Sequence, residues 1–196
     1  MRMLWFILMR GQGRTMPGNR GTIRLKNYDY TKQGAYYVTV CVTRRKCIFG
    51  DVRDGEMVLK DAGRMAGEWW QKLPLHFPNI EMDEYIIMPN HLHGIIIVGA
   101  PLVGALNDDG TGVKNDNRAG TRPAPTLGRI IGALKSITTN EYIRNVKTRN
   151  WPPFEKRLWQ RGYYEHVIRN EHDLVYIREY ITTNPAKWEE DEYYPG

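Results

Sequence analysis

Two histidines bracketing one leucine, set between two apolar runs, constrain this chain more than any other stretch. The segment reads Ile86-Ile87-Met88-Pro89-Asn90-His91-Leu92-His93-Gly94-Ile95-Ile96-Ile97-Val98. The β-branched residues and the shortness of each run favour strand over helix, and Pro-Asn turns one strand into the next as a hairpin. Side chains alternate along a strand, so His91 and His93 share a face while Leu92 enters the opposite layer. Two imidazoles on one face, roughly 7 Å apart at Cα by the strand rise, can chelate one metal ion. By itself the pair fits equally well a histidine capping the turn beside a polar edge residue, so the remaining elements have to decide.

Those elements alternate in a way that fixes a fold class. Around Tyr36 to Thr43, Val38, Val40 and Val42 face one layer and Tyr37, Thr39, Cys41 and Thr43 the other, which is a strand. A short strand near Met57, Val58 and Leu59 follows. Asp61 then serves as N-cap for a helix reaching about Leu73, with Ala62, Met65, Ala66, Trp69, Trp70 and Leu73 at helical spacing. Residues 80–88 form the strand that leads into the histidine hairpin. A second helix spans about 127–145 on a stripe of Leu127, Ile130, Ile131, Leu134 and Ile137. Short strand pieces lie around 158–160 and 164–168. A last helix, 171–183, has Asn170 as N-cap, a core stripe of Leu174, Ile177 and Ile181, and Pro185 as terminator. Strand, helix, strand, strand, helix, strand and a final helix is the order of an α+β, ferredoxin-like split βαβ core: an antiparallel sheet with helices on one face plus a C-terminal helix.

The totals bound the rest. A length of 196 residues suits one domain. Lys and Arg number 28 against 22 acidic residues, a net charge of +6 that suits a polyanionic partner without naming one. Cys41 and Cys47 form neither a disulfide framework nor a Cys-x-x-Cys motif, which points to a reducing cytoplasm. No stretch is long enough to span a membrane, and the apolar run Leu4 to Met9 is too short for a signal peptide. Residues 1–22 read as a flexible N-terminal extension, with Met16 as a candidate translation start. The domain proper occupies 23–188. Residues 100–126, rich in Gly, Asn, Asp and Thr, read as a flexible loop insertion, and 189–196 as a frayed acidic tail.

Two histidines do not make a complete catalytic site. A third histidine is missing from the His-x-His-x-His pattern because position 95 is Ile, and the His-Glu-x-x-His helix of zinc proteases is absent. On the final helix Tyr176, Tyr180 and Asn184 fall four residues apart on one face, beside the core stripe. Twelve tyrosines make abundance uninformative. Tyr163 and Tyr164 read as strand residues packed under a helix.

Met-Pro-Asn-His-Leu-His followed by an isoleucine-rich strand resembles the HUH motif of single-tyrosine transposases. The chain is most similar to the REP-associated tyrosine transposases. The segments Ile23-Arg24-Leu25-Lys26-Asn27-Tyr28-Asp29-Tyr30, Leu158-Trp159-Gln160-Arg161-Gly162-Tyr163-Tyr164-Glu165-His166-Val167-Ile168 and Tyr180-Ile181-Thr182-Thr183-Asn184-Pro185 carry the likeness across nearly the whole chain. The resemblance implies an endonuclease and strand transferase for single-stranded, hairpin-associated DNA. His91, His93 and Asn184 would hold a divalent metal, Mg2+ or Mn2+, and Tyr180 would attack the phosphorus to form a 5′-phosphotyrosine link. It also implies a monomer or a homodimer in which tyrosine helices are exchanged. Arg44, Arg45, Lys46, Arg129, Lys135, Arg161 and Arg169 lie outside the expected core stripes and are candidate DNA contacts. Trp159 and Tyr163 could stack on unpaired bases. Two other readings stay open at this point: a catalytically silent module that binds single-stranded or hairpin DNA, and a metal-dependent phosphoesterase using water.

Overall fold

Alternating small and β-branched residues give the central strand two different faces, and the fold is built by covering each. The computed structural model describes residues 34–99 and 125–195. The extension 1–22, the lead-in at 23–30 and all but the last two residues of the expected loop 100–126 lie outside the described residues. Strand β1 (Gly34–Cys41) pairs antiparallel with β5 (His91–Val98) on one side and β6 (Tyr164–Ile168) on the other. Strand β4 (Ile80–Ile87) pairs with the far side of β5, giving the order β4-β5-β1-β6. That is the ferredoxin-like arrangement. A separate hairpin, β2 (Gly50–Arg53) and β3 (Glu56–Leu59), precedes the first helix.

Helices α1 (Asp61–Gln71) and α3 (Leu127–Arg149) cover the face carrying Tyr36, Val38, Val40, Leu92 and Ile96, with the single-turn α2 (Leu73–His76) between α1 and β4. Trp70 from α1 and Ile130, Ile131 and Leu134 from α3 fill this layer and are fully buried. Two helix ends differ from expectation. Lys60, not Asp61, caps α1, and Asp61 enters the first turn paired with Arg64. Helix α3 runs four residues past 145, to Arg149, and closes on Asn150 in a left-handed conformation that asparagine tolerates.

The opposite face carries Tyr37 and Ile95 and is covered by α4 (Glu171–Thr183), through Ile177 and Ile181. Asn170 caps α4 as its sequence position suggests, its side chain accepting from the Asp173 amide at 2.8 Å. The helix is also pinned to the sheet edge. A register shift in β4 between Met82 and Tyr85 accompanies Asp83, which accepts from Arg178 Nε at 3.1 Å and Nη2 at 2.6 Å. A two-toothed guanidinium–carboxylate contact fixes direction as well as distance. It holds α4 two residues before Tyr180. No helix among the described residues is long and apolar enough to cross a membrane.

Candidate active site

Strand alternation puts His91 and His93 on the face under α4, and the neighbouring strand decides how their rings stand. In the β1–β5 register Thr39 lies opposite His93 and Cys41 opposite His91. His93 Nδ1 meets the Tyr37 hydroxyl at 2.6 Å and Thr39 Oγ1 at 2.9 Å. His91 Nδ1 meets Asn90 Oδ1 at 2.8 Å. The Asn90 amide nitrogen is spent on two carbonyls, those of Arg45 at 3.1 Å and Tyr193 at 2.8 Å. Its oxygen must therefore face His91, and His91 Nδ1 must donate. That leaves His91 Nε2 with its lone pair outward.

The two Nε2 atoms approach to 2.8 Å, so a proton sits between them and His93 supplies it. Hydroxyls both donate and accept. Tyr37 and Thr39 can therefore equally accept a hydrogen bond from His93 Nδ1–H, the tautomer in which both Nε2 lone pairs face one point. Partners of this kind orient metal-binding histidines. Neither Tyr37, Thr39 nor Asn90 emerged as a site residue from the sequence, although strand alternation already placed Tyr37 and Thr39 on one face.

Burial keeps both rings neutral. It lowers His93 to about 3, and it lowers His91 well below its ordinary value, with the neighbouring His93 and Arg45 adding to the effect. An unfolded imidazole titrates near 6.5. Between that value and the lower folded one, the unfolded chain holds more protons, so stability falls as pH drops. Each histidine contributes up to about 1.4 kcal/mol per pH unit in that window. Asp191, whose carboxyl is raised chiefly by burial, offsets part of this. The melting temperature in metal-free buffer is therefore expected to decline from pH 6.5 to 4.5, and His93→Gln to flatten the decline. A melting temperature constant over that range would contradict the burial argument.

Helix α4 and the chain beyond it close the site. The Tyr180 ring stands edge-on to His93 at 5.4 Å and to Tyr37 at 6.3 Å between centroids. Asn184, only 3% exposed, donates from Nδ2 to Asp191 Oδ2 at 3.1 Å, while its Oδ1 is buried with no hydrogen-bond partner. Of the two expected members of the helix face, Tyr180 thus meets His93 directly, and Asn184 is linked to the histidines through Asp191. Tyr176 instead turns to solvent, 43% exposed. Residues 189–195, expected to be frayed, lie across the histidine pair. Asp191 brings a carboxylate oxygen and the histidines a nitrogen each within 4.8 Å of one another. The Tyr193 ring sits 4.7 Å from His91 and beneath the Arg45 guanidinium at 5.2 Å. Arg45 also donates to the Glu192 carbonyl at 2.7 Å. Trp188 anchors the segment, buried 6.0 Å from His91. An acidic tail has no periodicity, so nothing in the sequence marked Asp191 or Tyr193.

Burial pushes the Tyr180 phenol above its ordinary value, and the charges of Asp191 and Glu192 push it further. Hydrogen bonding from Asn184 and Tyr37 pulls it back only in part. A positive charge beside the phenol would act in the opposite direction. Cys41, opposite His91, is no alternative, since burial pushes its thiol up to about 12.

The basic candidates divide. Arg44 and Lys46 share Glu155 at 2.6 and 3.7 Å. Lys135 points inward, donating to the carbonyls of Gln160 at 2.9 Å and Gly162 at 2.7 Å, and its ammonium is lowered to about 8 by burial. Arg129, Arg161 and Arg169 stay at the surface. Trp159 belongs to the core, donating to Thr138 Oγ1 at 2.8 Å and packing on Phe49. Tyr163 is half-buried under the Lys135 ammonium.

The fold is similar to that of a tyrosine transposase. A solved structure of a REP-associated tyrosine transposase bound to a REP hairpin superposes with a TM-score of 0.52 at 20% identity, over 84% of this chain and 74% of that one. In sequence, the chain is 26% identical over 168 residues to a Haemophilus influenzae protein provisionally named a REP-associated tyrosine transposase, covering 83% of this chain and 77% of that protein. An uncharacterized protein of the same organism is 37% identical over 180 residues, covering 90% of this chain and 93% of its own length. The chain belongs to one family with that protein, and in fold and sequence it is a relative of the REP-associated tyrosine transposases. No protein-family model matches it.

Proposed function

We propose that this protein cleaves and rejoins single-stranded DNA beside a hairpin, with Tyr180 as nucleophile and a phosphate held over His91 and His93. The observation that carries the proposal is the meeting of two distant elements: the His91–His93 pair of β5 lies against the Tyr180 ring of α4, with Asn184, which follows α4, tied to them through Asp191.

The donor set fits a divalent cation, Mg2+ or Mn2+. Two neutral imidazoles, the Asp191 carboxylate and the orphaned Asn184 Oδ1 are a mixed nitrogen and oxygen set of the right kind. A buried carbonyl oxygen without a donor is costly unless something positive meets it. A bound cation would supply Lewis acidity at the scissile phosphate and positive charge beside the phenol.

The protein's own groups account for the remaining steps. Tyr37, Thr39 and Asn90 hold the imidazoles with their Nε2 atoms inward. Asp191 interacts with the Tyr180 hydroxyl. Asp191 thereby orients the phenol O–H, and the phenol proton passes to solvent as the oxygen attacks. The Tyr180 oxygen bonds to phosphorus, the bond from phosphorus to the 3′ oxygen breaks, and that oxygen takes a proton from solvent to leave as a 3′-OH. Attack of the 3′-OH of a second strand on the phosphotyrosine reverses these steps and rejoins DNA.

The test is a labelled hairpin oligonucleotide with single-stranded flanks, incubated with the protein and Mn2+. An SDS-resistant protein–DNA adduct is expected, reduced to background by a chelator and by His91→Ala, with DNA binding retained in that variant. Binding without adduct or cleavage, across several hairpins and with Mg2+ as well as Mn2+, would leave a hairpin-binding module instead. Cleavage without adduct would leave a phosphoesterase.

A further inference from the structure

A second surface beside the site has features that neither the fold nor the proposed chemistry explains. The short 3-10 turn Thr43–Arg45 and residues 152–158 face each other across a cavity of about 110 Å³. Its floor is apolar, made by Ile48, Tyr142, Phe154 and Leu158, and its rim carries Arg44, Lys46 and Arg157. The backbone here is strained. Arg44 and Arg45 have φ of 58° and 53°, and Lys156, between two lining residues, has φ of 56°. Long side chains rarely adopt this left-handed conformation. Holding one there stores backbone strain, and such strain collects at functional sites.

Glu155 occupies the mouth, its carboxylate between the Arg44 guanidinium at 2.6 Å and the Lys46 ammonium at 3.7 Å. The three side chains are 63%, 49% and 59% exposed in the order Arg44, Lys46, Glu155, so the bridge adds little stability and exchanges readily. One anion between two cations is also how a phosphodiester would sit. Arg157 has no ion-pair partner among the described residues. Two hydrogen bonds join the cleft to the histidine turn, and a third ties its two walls together. The Val42 amide donates to the Asn90 carbonyl at 2.8 Å, the Asn90 side chain to the Arg45 carbonyl at 3.1 Å, and the Thr43 amide to the Leu158 carbonyl at 2.8 Å.

We infer that this cleft docks one unpaired nucleotide flanking the cleaved phosphate, its base against the Phe154 ring and its phosphate in the place of Glu155 between Arg44 and Lys46. A cavity of this size admits a single small ring system and excludes a base pair. The stacking floor tolerates any base, since every base has a π face. Arg157 contributes a further phosphate contact at the rim. The inference rests on the DNA-cleaving reading and assigns that substrate's flanking strand a binding site.

The test compares two oligonucleotides by fluorescence titration: a blunt hairpin, and the same hairpin with a single-stranded flank carrying 2-aminopurine. Glu155→Gln removes the competing carboxylate and should tighten binding of the flanked hairpin roughly threefold to tenfold, the scale of one added phosphate contact at low salt. Glu68→Gln frees Lys72 from an equally exposed ion pair on α1 and should change it less than about twofold. Arg157→Gln and Phe154→Leu should weaken the flanked hairpin alone and reduce the 2-aminopurine quench. Equal gains in the two glutamine variants would show bulk charge only, and equal losses on both DNAs would show a general phosphate contact; either overturns the inference. Arg157 is exposed, so its variant carries the test if Phe154→Leu does not fold. Adduct formation by the wild type with unchanged binding in all the variants sinks the cleft and spares the cleavage reading. Failure of the wild type to bind either DNA sinks both.

Discussion

Tyr180→Phe is expected to abolish the SDS-resistant DNA adduct while leaving the protein folded and able to bind a hairpin. The substitution removes one oxygen and keeps the ring, which packs edge-on against His93 and Tyr37. The thermodynamic cost should be that of one hydrogen bond, about 1 kcal/mol, so the melting temperature moves by only a few degrees. The chemical loss should be roughly three orders of magnitude or more, as expected when the nucleophile of a covalent mechanism is deleted. Stability and activity are thereby separated in a single variant. Tyr193 is the natural control, because its ring lies closer to His91 than the Tyr180 ring lies to His93, at 4.7 against 5.4 Å. On the proposed reading Tyr193→Phe retains the adduct. An adduct surviving in Tyr180→Phe and lost in Tyr193→Phe would transfer the nucleophile to the tail and require a different in-line geometry.

That comparison also shows where sequence reasoning reached its limit. The strand order, the two-faced β1 and the capped final helix are legible because each follows from a local period: two for Tyr37 and Thr39 against Val38 and Val40, and 3.6 for Leu174, Ile177 and Ile181. Sharing of one helix face by Tyr180 and Asn184 has the same origin, and packing of α4 on the sheet through Ile177 and Ile181 then carries Tyr180 to the histidines. Asp191 and Tyr193 belong to no period. They reach the site because Trp188 buries itself and Asn90 holds the Tyr193 carbonyl, and neither contact has a local signal. Lys135 turns inward for a related reason. It lies off the apolar stripe of α3, yet the carbonyls of the 160–162 turn have no strand partner and draw its ammonium inward. Whether a polar residue faces solvent depends on which backbone groups near it are unpaired, and that is decided only by the tertiary fold.

Gly94→Ala is expected to lower the melting temperature by roughly 5–10 °C, corresponding to about 2–3 kcal/mol of overpacking. Gly94 follows His93 on the central strand, with Val38 on one side and Tyr85 on the other. A Cβ here would stand 2.3 Å from Cζ2 of Trp70 and 2.9 Å from two further atoms of the same ring. The ring is rigid and fully buried between sheet and helix, so neither it nor the strand can give way without moving neighbours. The glycine is there because α1 lays its largest side chain against this strand, which brings the helix close and leaves no space for a methyl group. Gly132 on α3 provides the opposite case. A Cβ there meets nothing within 4 Å, so Gly132→Ala should gain roughly 0.5–1 kcal/mol from helix propensity and raise the melting temperature. Differential scanning calorimetry of both variants distinguishes a steric cause from a general intolerance of glycine substitution. If Trp70 is the obstacle, Trp70→Phe in the Gly94→Ala background should recover part of the loss, although Trp70→Phe alone destabilises. Additive costs in the double variant would mean that the two sites do not touch energetically, and that the glycine beside His93 is required for some reason other than this contact.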